Sequence, residues 1–291
     1  MNATEFLKLL DLEADGVDRW VGHSPDNGWT RVFGGQVVAQ ALCAAQRSVP
    51  DRAPHSLHAY FILGGDPKEP IAFEVERIRE GRSFATRRVV ARQRGEAIFV
   101  MAASFHIAED GLDHYIAAPP AVTPEQTPDP LQVAALASEK VRAQIEGFVA
   151  RVAPIEFRPL DYTRYTALKE GESREPKQMH WLRIGVGLPD DPAIHRLALA
   201  YLSDLTLLDA ALVRHGHTMS GGKFQLASLD HALWFHRPTR ADDWLLYVQD
   251  SPSAEGARGL TRGLLYDRNG RLAASVAQEG LIRWRRGQEL D

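Results

Sequence analysis

Residues 81–105 and 256–280 can be laid one over the other. Gly81 then falls on Gly256, Thr86-Arg87 on Thr261-Arg262 and Gly95 on Gly270. Upstream, LHAYF (57–61) parallels DHALWF (230–235), and a helical stretch at 33–49 parallels one at 200–214. A repeat unit of roughly 120–130 residues is too long for a solenoid and marks a duplicated domain.

Each copy reads in the same order: a strand, an enclosed helix, then four antiparallel strands. In the first, FGGQVVAQALCAAQRSV (33–49) is Ala-rich and apolar nearly all round, as a helix surrounded by other structure must be. Strand patterns follow at 55–63, 71–80, 83–94 and 96–107, with Gly81-Arg82 and Arg94-Gly95 at hairpin spacing. In the second, a strand at 178–188 and a helix at 192–214 precede strands at 223–237, 243–253, 256–268 and 271–285. A short helix is expected at 4–12, a Pro- and Ala-rich linker at 109–128 and an amphipathic helix at 129–150. One helix wrapped by a curved antiparallel sheet describes a hotdog fold, so the expectation is α+β, a double hotdog with its sheets joined edge to edge. The domains divide as 1–110, a linker with a helix at 111–175, and 176–291.

Composition narrows the function. The 291 residues are 44% hydrophobic and 25% charged, ordinary globular proportions. A net charge of −4 and a pI of 6.3 leave no electrostatic footprint for nucleic acid or an anionic membrane, and the basic run RWRRG (283–287) is short. The lone Cys43 rules out an intrachain disulfide and fits a reducing compartment. MNATEFLKLLDLEADG does not read as a signal peptide, no run approaches ~18 apolar residues, and QELD (288–291) is no recognisable address. A cytoplasmic protein without nucleic-acid or membrane partners is expected.

SDLTLLDAAL (203–212) sets an acid among helical apolar residues. At ~100° per residue, Leu197, Tyr201, Leu205, Leu208 and Leu212 share one arc, and Asp204 sits at its margin beside Leu197 and Leu208. Asp209 turns toward the polar side and reads as a solvated surface acid. Asp204 is either a cap or partner for a buried donor, or a reacting group.

RVFGGQVVAQAL (31–42), HSLHAYFILGGD (55–66), SDLTLLDAAL, LASLDHALWFHRP (226–238) and AQEGLIR (277–283) resemble the acyl-CoA thioesterase II family, which includes the TesB-type and peroxisomal enzymes. The likeness spans both halves and is weakest at 109–175. It implies a double hotdog that hydrolyses fatty acyl-CoA to free acid and coenzyme A without a cofactor, and self-association as a tetramer. It also implies a catalytic Asp, Thr or Ser, and Gln, which map onto Asp204, Ser228 and Gln278. Many bacterial members carry Thr where Ser228 stands; the hydroxyl survives, but the missing methyl loosens its rotamer.

The residue pattern agrees with that mapping. Along 271–284, Leu272, Ala274, Val276, Gln278, Ile282 and Trp284 share one face, so Gln278 points to the apolar side while Glu279 points out. Ser228 shares its face with Phe224 and Leu226. Each polar group alone has an ordinary structural explanation, bonding to a buried backbone group. The first copy offers Gln36, His55 and Ala103 at the matching places and cannot reproduce the set; the match of His55 needs a one-residue gap.

In this reading Asp204 is the general base for a water, which Ser228 and Gln278 orient beside the thioester carbonyl. Backbone N–H groups would hold the oxyanion, with Gly34-Gly35 the candidate because glycine lets backbone approach a ligand. His58 stays open as a further base or binding group, against the plainer reading of a hydrogen-bonded structural histidine. No G-x-S-x-G is present, and Cys43 reads as core packing. No H-E-x-x-H occurs, and His231 and His236 point to opposite faces, so no metal site is expected. A hydratase or dehydratase on the same fold is the competing enzyme; it wants an Asp–His pair, and no histidine aligns with Asp204. A non-catalytic acyl-CoA-binding protein is the third possibility. The helix at 129–148, with Leu131, Val133, Leu136 and Val141 needing cover, is the sequence motive for a homo-oligomer.

Overall fold

Through FATRRVVARQ (84–93), Ala85, Arg87, Val89 and Ala91 are buried in alternation, the period of a strand with one face on a core. The same alternation recurs along the chain. The computed structural model describes residues 1–26, 28–166 and 171–285. Its first six strands are β1 (Glu13–Ala14), β2 (Arg19–Gly22), β3 (Ala53–Phe61), β4 (Ile71–Glu80), β5 (Phe84–Gln93) and β6 (Glu96–His106). Then follow β7 (Ile155–Pro159), β8 (Lys177–Ile184), β9 (Phe224–Ser228), β10 (Asp230–Phe235), β11 (Leu245–Glu255), β12 (Arg258–Tyr266) and β13 (Leu272–Trp284).

These strands form one antiparallel sheet in the order β1-β2-β4-β5-β6-β3-β10-β13-β12-β11-β8-β7, with β9 also on β13. The order reads the same from either end once the halves are matched. The seam is β3 against β10, Leu57 opposite Leu233, which is the edge-to-edge joining expected of the repeat. Even the irregularities match: β4–β5 slips between Arg77 and Arg79, and β11–β12 between Asp250 and Ser253.

The helices are α1 (Ala3–Leu10), α2 (Gly34–Arg47), α3 (Pro130–Leu136), α4 (Glu139–Val152), α5 (Thr163–Thr166), α6 (Pro192–Ser203) and α7 (Ala210–Val213). Every residue of α2 from Gly35 to Ala45 is buried, so α2 is the enclosed helix of the first half. It packs along α6, and a single apolar core runs through both halves. The smaller cluster of Trp181, Trp244, Leu246, Tyr266 and Leu272 is separate. There the 109–128 segment is docked rather than loose: Trp181 Nε1 donates to Val122 O at 2.8 Å.

The structure corrects four readings. The helix expected over 192–214 stops at Ser203 and resumes only through a 3-10 turn, Leu207–Asp209. Thr206 takes the left-handed conformation (φ 61°), which costs a β-branched residue about 1–3 kcal/mol. Two glutamines absorb the broken ladder: Gln249 Nε2 donates to Leu205 O at 3.2 Å and Gln178 Nε2 to Thr206 O at 2.9 Å. Asp209 is not solvated but 4% exposed, because the break turns it inward, where Oδ1 accepts the Met219 N–H at 3.0 Å. The strand expected at 223–237 divides at Leu229, and the helix at 129–150 divides into α3 and α4. The end of the basic run at 283–287 and all of QELD fall outside the described residues.

Candidate active site

The end of α6 brings an acid to the start of α2. Asp204 follows the last residue of α6, and its Oδ2 accepts the Gly35 N–H at 2.9 Å. Only glycine permits this approach. A Cβ on Gly35 would lie 2.3 Å from the Tyr201 carbonyl oxygen, and one on Gly34 2.6 Å from Asp204 Oδ2. The expectation for these two glycines therefore divides. Backbone does approach closely here, but the Gly35 N–H is taken by the carboxylate instead of being left for a substrate oxyanion. The Gly34 N–H, at the uncapped start of α2, has no acceptor among the described residues.

Two neighbouring strands supply the remaining predicted groups. Ser228 ends β9 opposite Gly280 of β13. Gln278, 1% exposed on the inner face of β13, donates from Nε2 to Ser228 Oγ at 2.8 Å. Both side chains also stand close enough to the Asp204 carboxylate to favour its charged form. Each still has a hydrogen to offer, since the Gln278 amide spends one of its two N–H groups on Ser228, whose Oγ accepts it. Thr261 of β12, fully buried, ties the Gln278 main chain by donating to its carbonyl oxygen at 2.9 Å. Asp204, Ser228 and Gln278 thus converge from three elements.

A fourth group stands among them. His231 of β10, 1% exposed, meets Gln278 Oε1 through Nδ1 at 2.6 Å and Ser203 Oγ through Nε2 at 2.9 Å. Sequence reasoning missed it by weighing His231 only as half of a metal pair with His236. The signal available was the strand alternation, which sets His231 on the same inner face as Leu233. The expectation that no histidine accompanies Asp204 is corrected accordingly.

Electrostatics single out Asp204. Burial is the largest influence and raises its pKa above the ordinary carboxylate range. The positive field of His231 and the hydrogen bonds from Gln278, Gly35 N–H and Ser228 oppose that rise without cancelling it. Asp204 as a residue is only half-buried, so the carboxylate is enclosed by protein while part of the residue still meets a surface. Neighbouring Tyr247 is held neutral, burial pushing its phenol well above its usual value.

His58 is not gathered with this set. Strand alternation turns it to the exposed face of β3, edge-on to the Trp234 ring with centroids 5.2 Å apart. His55 is not the counterpart of Ser228 either. A slip between Pro54 and Ser56 puts Pro54 opposite Phe105, in the place Ser228 holds opposite Gly280, and His55 instead meets Ser104 Oγ at 2.8 Å. A cleft of about 980 Å³ lies elsewhere, at the Pro54 and Phe235 end of the seam. Its arginines are largely tied to acids, Arg237 to Asp113, Arg240 to Asp190 and Asp242, and Arg271 to Asp267. That cleft and the polar arrangement around Asp204 lie at opposite ends of the seam.

Comparisons with known proteins bear on this arrangement. Residues 153–281 match the family model described as acyl-CoA thioesterase, and residues 24–106 the acyl-CoA thioesterase N-terminal domain. Over 299 aligned residues, covering 96% of this chain and 88% of the relative, the chain is 42% identical to acyl-coenzyme A thioesterase 8 of Mus musculus. It is 37% identical to acyl-CoA thioesterase 2 of Haemophilus influenzae, with 96% of each chain covered. The crystal structure of an acyl-CoA thioesterase II, TesB2, from Mycobacterium marinum superposes with a TM-score of 0.78 at 42% identity, covering 96% of this chain and 98% of that one.

Proposed function

The chain belongs to the acyl-CoA thioesterase family, and from that premise we propose that it hydrolyses fatty acyl-CoA to free fatty acid and coenzyme A, with Asp204, Ser228 and Gln278 holding the water. A thioester carbonyl is already electrophilic, so the chain's task is to position and deprotonate a nucleophile. Asp204 is the general base, its burial moving its basicity toward the working range. Ser228 and Gln278 restrict the rotation of the same water. The Gly34 N–H, at the positive end of α2, faces the oxyanion as it forms. The observation that carries this reading is the single carboxylate gathered with an amide and a hydroxyl against the start of a helix from the other half. The test is release of free thiol from acyl-CoA, followed with a chromogenic thiol reagent. Wild-type protein turns over, while folded Asp204→Asn binds acyl-CoA and does not. Thiol release by Asp204→Asn at the wild-type rate would sink the assignment.

A hydratase would need His231 as an acid or base toward substrate. Both of its ring nitrogens are engaged inside the protein, which favours hydrolysis. We further read the protein as a homo-tetramer, since α3 leaves Leu131 and Leu136 50% and 92% exposed. Light scattering at micromolar concentration that gives the mass of one 32.3 kDa chain would end that reading. A cytoplasmic location is supported by the one buried, unpaired cysteine, Cys43. The functional map is 1–110 for the supporting hotdog, 111–175 for the linker and 176–291 for the catalytic hotdog, with β7 of the middle segment closing the sheet beside β8.

A further inference from the structure

We propose that His231 is the positioning residue of this site: it fixes which end of the Gln278 amide faces Ser228 and Asp204, and it places an imidazole ring beside the base. The inference rests on the catalytic reading of Asp204, Ser228 and Gln278.

A glutamine side chain can turn over, exchanging donor for acceptor, and only one orientation suits this site. With Nε2 toward Ser228, the amide donates to Oγ at 2.8 Å and turns its N–H side to the Asp204 carboxylate, favouring the charged form. Turned over, Oε1 would face the carboxylate, acceptor against acceptor. His231 decides between them. The Gln278 oxygen can only accept, so the 2.6 Å contact requires a proton on Nδ1. With that proton in place, a flipped amide would present N–H to N–H at that distance.

The proton count continues on the other side of the ring. Ser203 Oγ lies 2.9 Å from His231 Nε2 and also donates its one hydrogen to Ala200 O at 2.8 Å. Ser203 therefore anchors the ring from the side opposite Gln278, so the ring plane, and with it the direction of Nδ1, is fixed.

The surroundings keep this local. β11 contributes Tyr247, whose phenol donates to Ser203 O at 2.5 Å. α2 presents the Gly35 N–H, β9 presents Ser228 and β13 presents Gln278. Of the flanking acids, Asp230 Oδ1 accepts the Glu279 N–H at 2.6 Å, and Glu279 pairs with Arg258 at 3.1 Å. Among the described residues, Asp204 is the acid that feels His231 most directly.

Two variants separate the roles. In His231→Asn the amide can replace Nδ1–H toward Gln278 but carries no charge; His231→Ala loses both. The experiment measures kcat, KM and the pH dependence of kcat/KM for thiol release, with near-ultraviolet circular dichroism confirming packing. His231→Ala should lower kcat roughly 10–100-fold with little change in KM, and His231→Asn should recover most of that loss. In both, the acidic limb should move to higher pH, because removing a positive neighbour makes the Asp204 carboxylate harder to ionise. A histidine that merely filled space would lower the melting temperature and leave that limb in place. Packed variants with wild-type kcat and an unmoved limb overturn the proposal. Asp204→Asn, run alongside, keeps the two readings apart. If it still turns over, the catalytic reading has failed; if it is dead while the His231 variants behave as wild type, only the role of His231 has.

Discussion

The two sides of the β3–β10 seam share a backbone and differ in chemistry. In the first half Pro54 lies opposite Phe105 and Leu57 opposite Ala103. At the matching places the second half has Ser228 opposite Gly280 and His231 bonded to Gln278. Gln36, the counterpart of Asp204, serves structure, its Nε2 donating to Ser24 Oγ at 2.8 Å. A buried polar group is tolerable only when each donor and acceptor is satisfied. The first half, which lacks the polar set, is built at these places from a proline, a leucine and an alanine, which need no partners. The buried charge of the first half, Arg87, is fully enclosed and clamps Ser48, Arg79 O and Glu80. Strand pairing puts the match to Arg87 one residue off the sequence overlay, at Thr261 rather than Arg262, and Thr261 holds the strand that carries Gln278.

The largest difference between the halves should appear at the acid. Asp204→Asn is expected to lower kcat by roughly 10²–10⁴-fold, the usual range for a lost general base, whereas Gln36→Leu should leave kcat within about two-fold. Equal losses would erase the contrast. The same pair reports linkage. Burial raises the Asp204 pKa in the folded state, so its stabilising contribution is complete below the unfolded pKa of about 3.9 and is lost as pH rises through the folded value. Asparagine does not titrate, so the melting temperature of Asp204→Asn minus that of wild type should grow as pH rises from 4 toward 8. A difference that stays flat would mean Asp204 is not perturbed.

Next in size is the contact between halves. Gly34→Ala pushes a methyl toward Asp204 Oδ2 and should cut kcat about 10–100-fold, since small misplacements of a reacting group are expensive. Gly35→Ala meets a rigid carbonyl and should instead lower stability by about 1–3 kcal/mol, read from denaturant midpoints. Ser228→Ala and Gln278→Ala should each cost roughly ten-fold, with the double variant no worse than about twenty-fold if the two hold one water. Full multiplication would mean they act separately. Smallest for activity is Arg87→Met, whose kcat should match wild type while its melting temperature falls.

Much of this was legible beforehand because strands repeat every second residue. That period placed Gln278 inward and Glu279 outward, and nearly every strand of the duplicated set, from side-chain type alone. Short edge strands escaped: β1 has two residues and β2 four, too few for alternation to show. The break after Ser203 escaped as well. Neither glycine nor proline marks it, and Thr206 is held left-handed by glutamines from distant strands. The burial of Asp209 and the direction of Asp204 follow from that break, so a helical wheel singled out Asp204 from an incomplete picture of its surroundings. His231 was readable as inward-facing, but its partners come from β13 and α6, and only the assembled sheet brings them together.

The seam has a further consequence while the chain is being made. Gly35 meets Asp204 across 169 residues of sequence. At about 5–20 residues per second, the first half waits roughly 10–30 s for its partner to leave the ribosome. Throughout that interval β3 is an unpaired edge, open to any other strand. Its outward residues, His58 and Tyr60, are exposed even in the finished protein, and wide polar side chains along a waiting edge discourage the flat, dry stacking by which nascent chains aggregate. The fused arrangement also keeps the correct second half tethered to that edge, so the strand that eventually covers β3 is delivered by the same polypeptide and not drawn from the crowd.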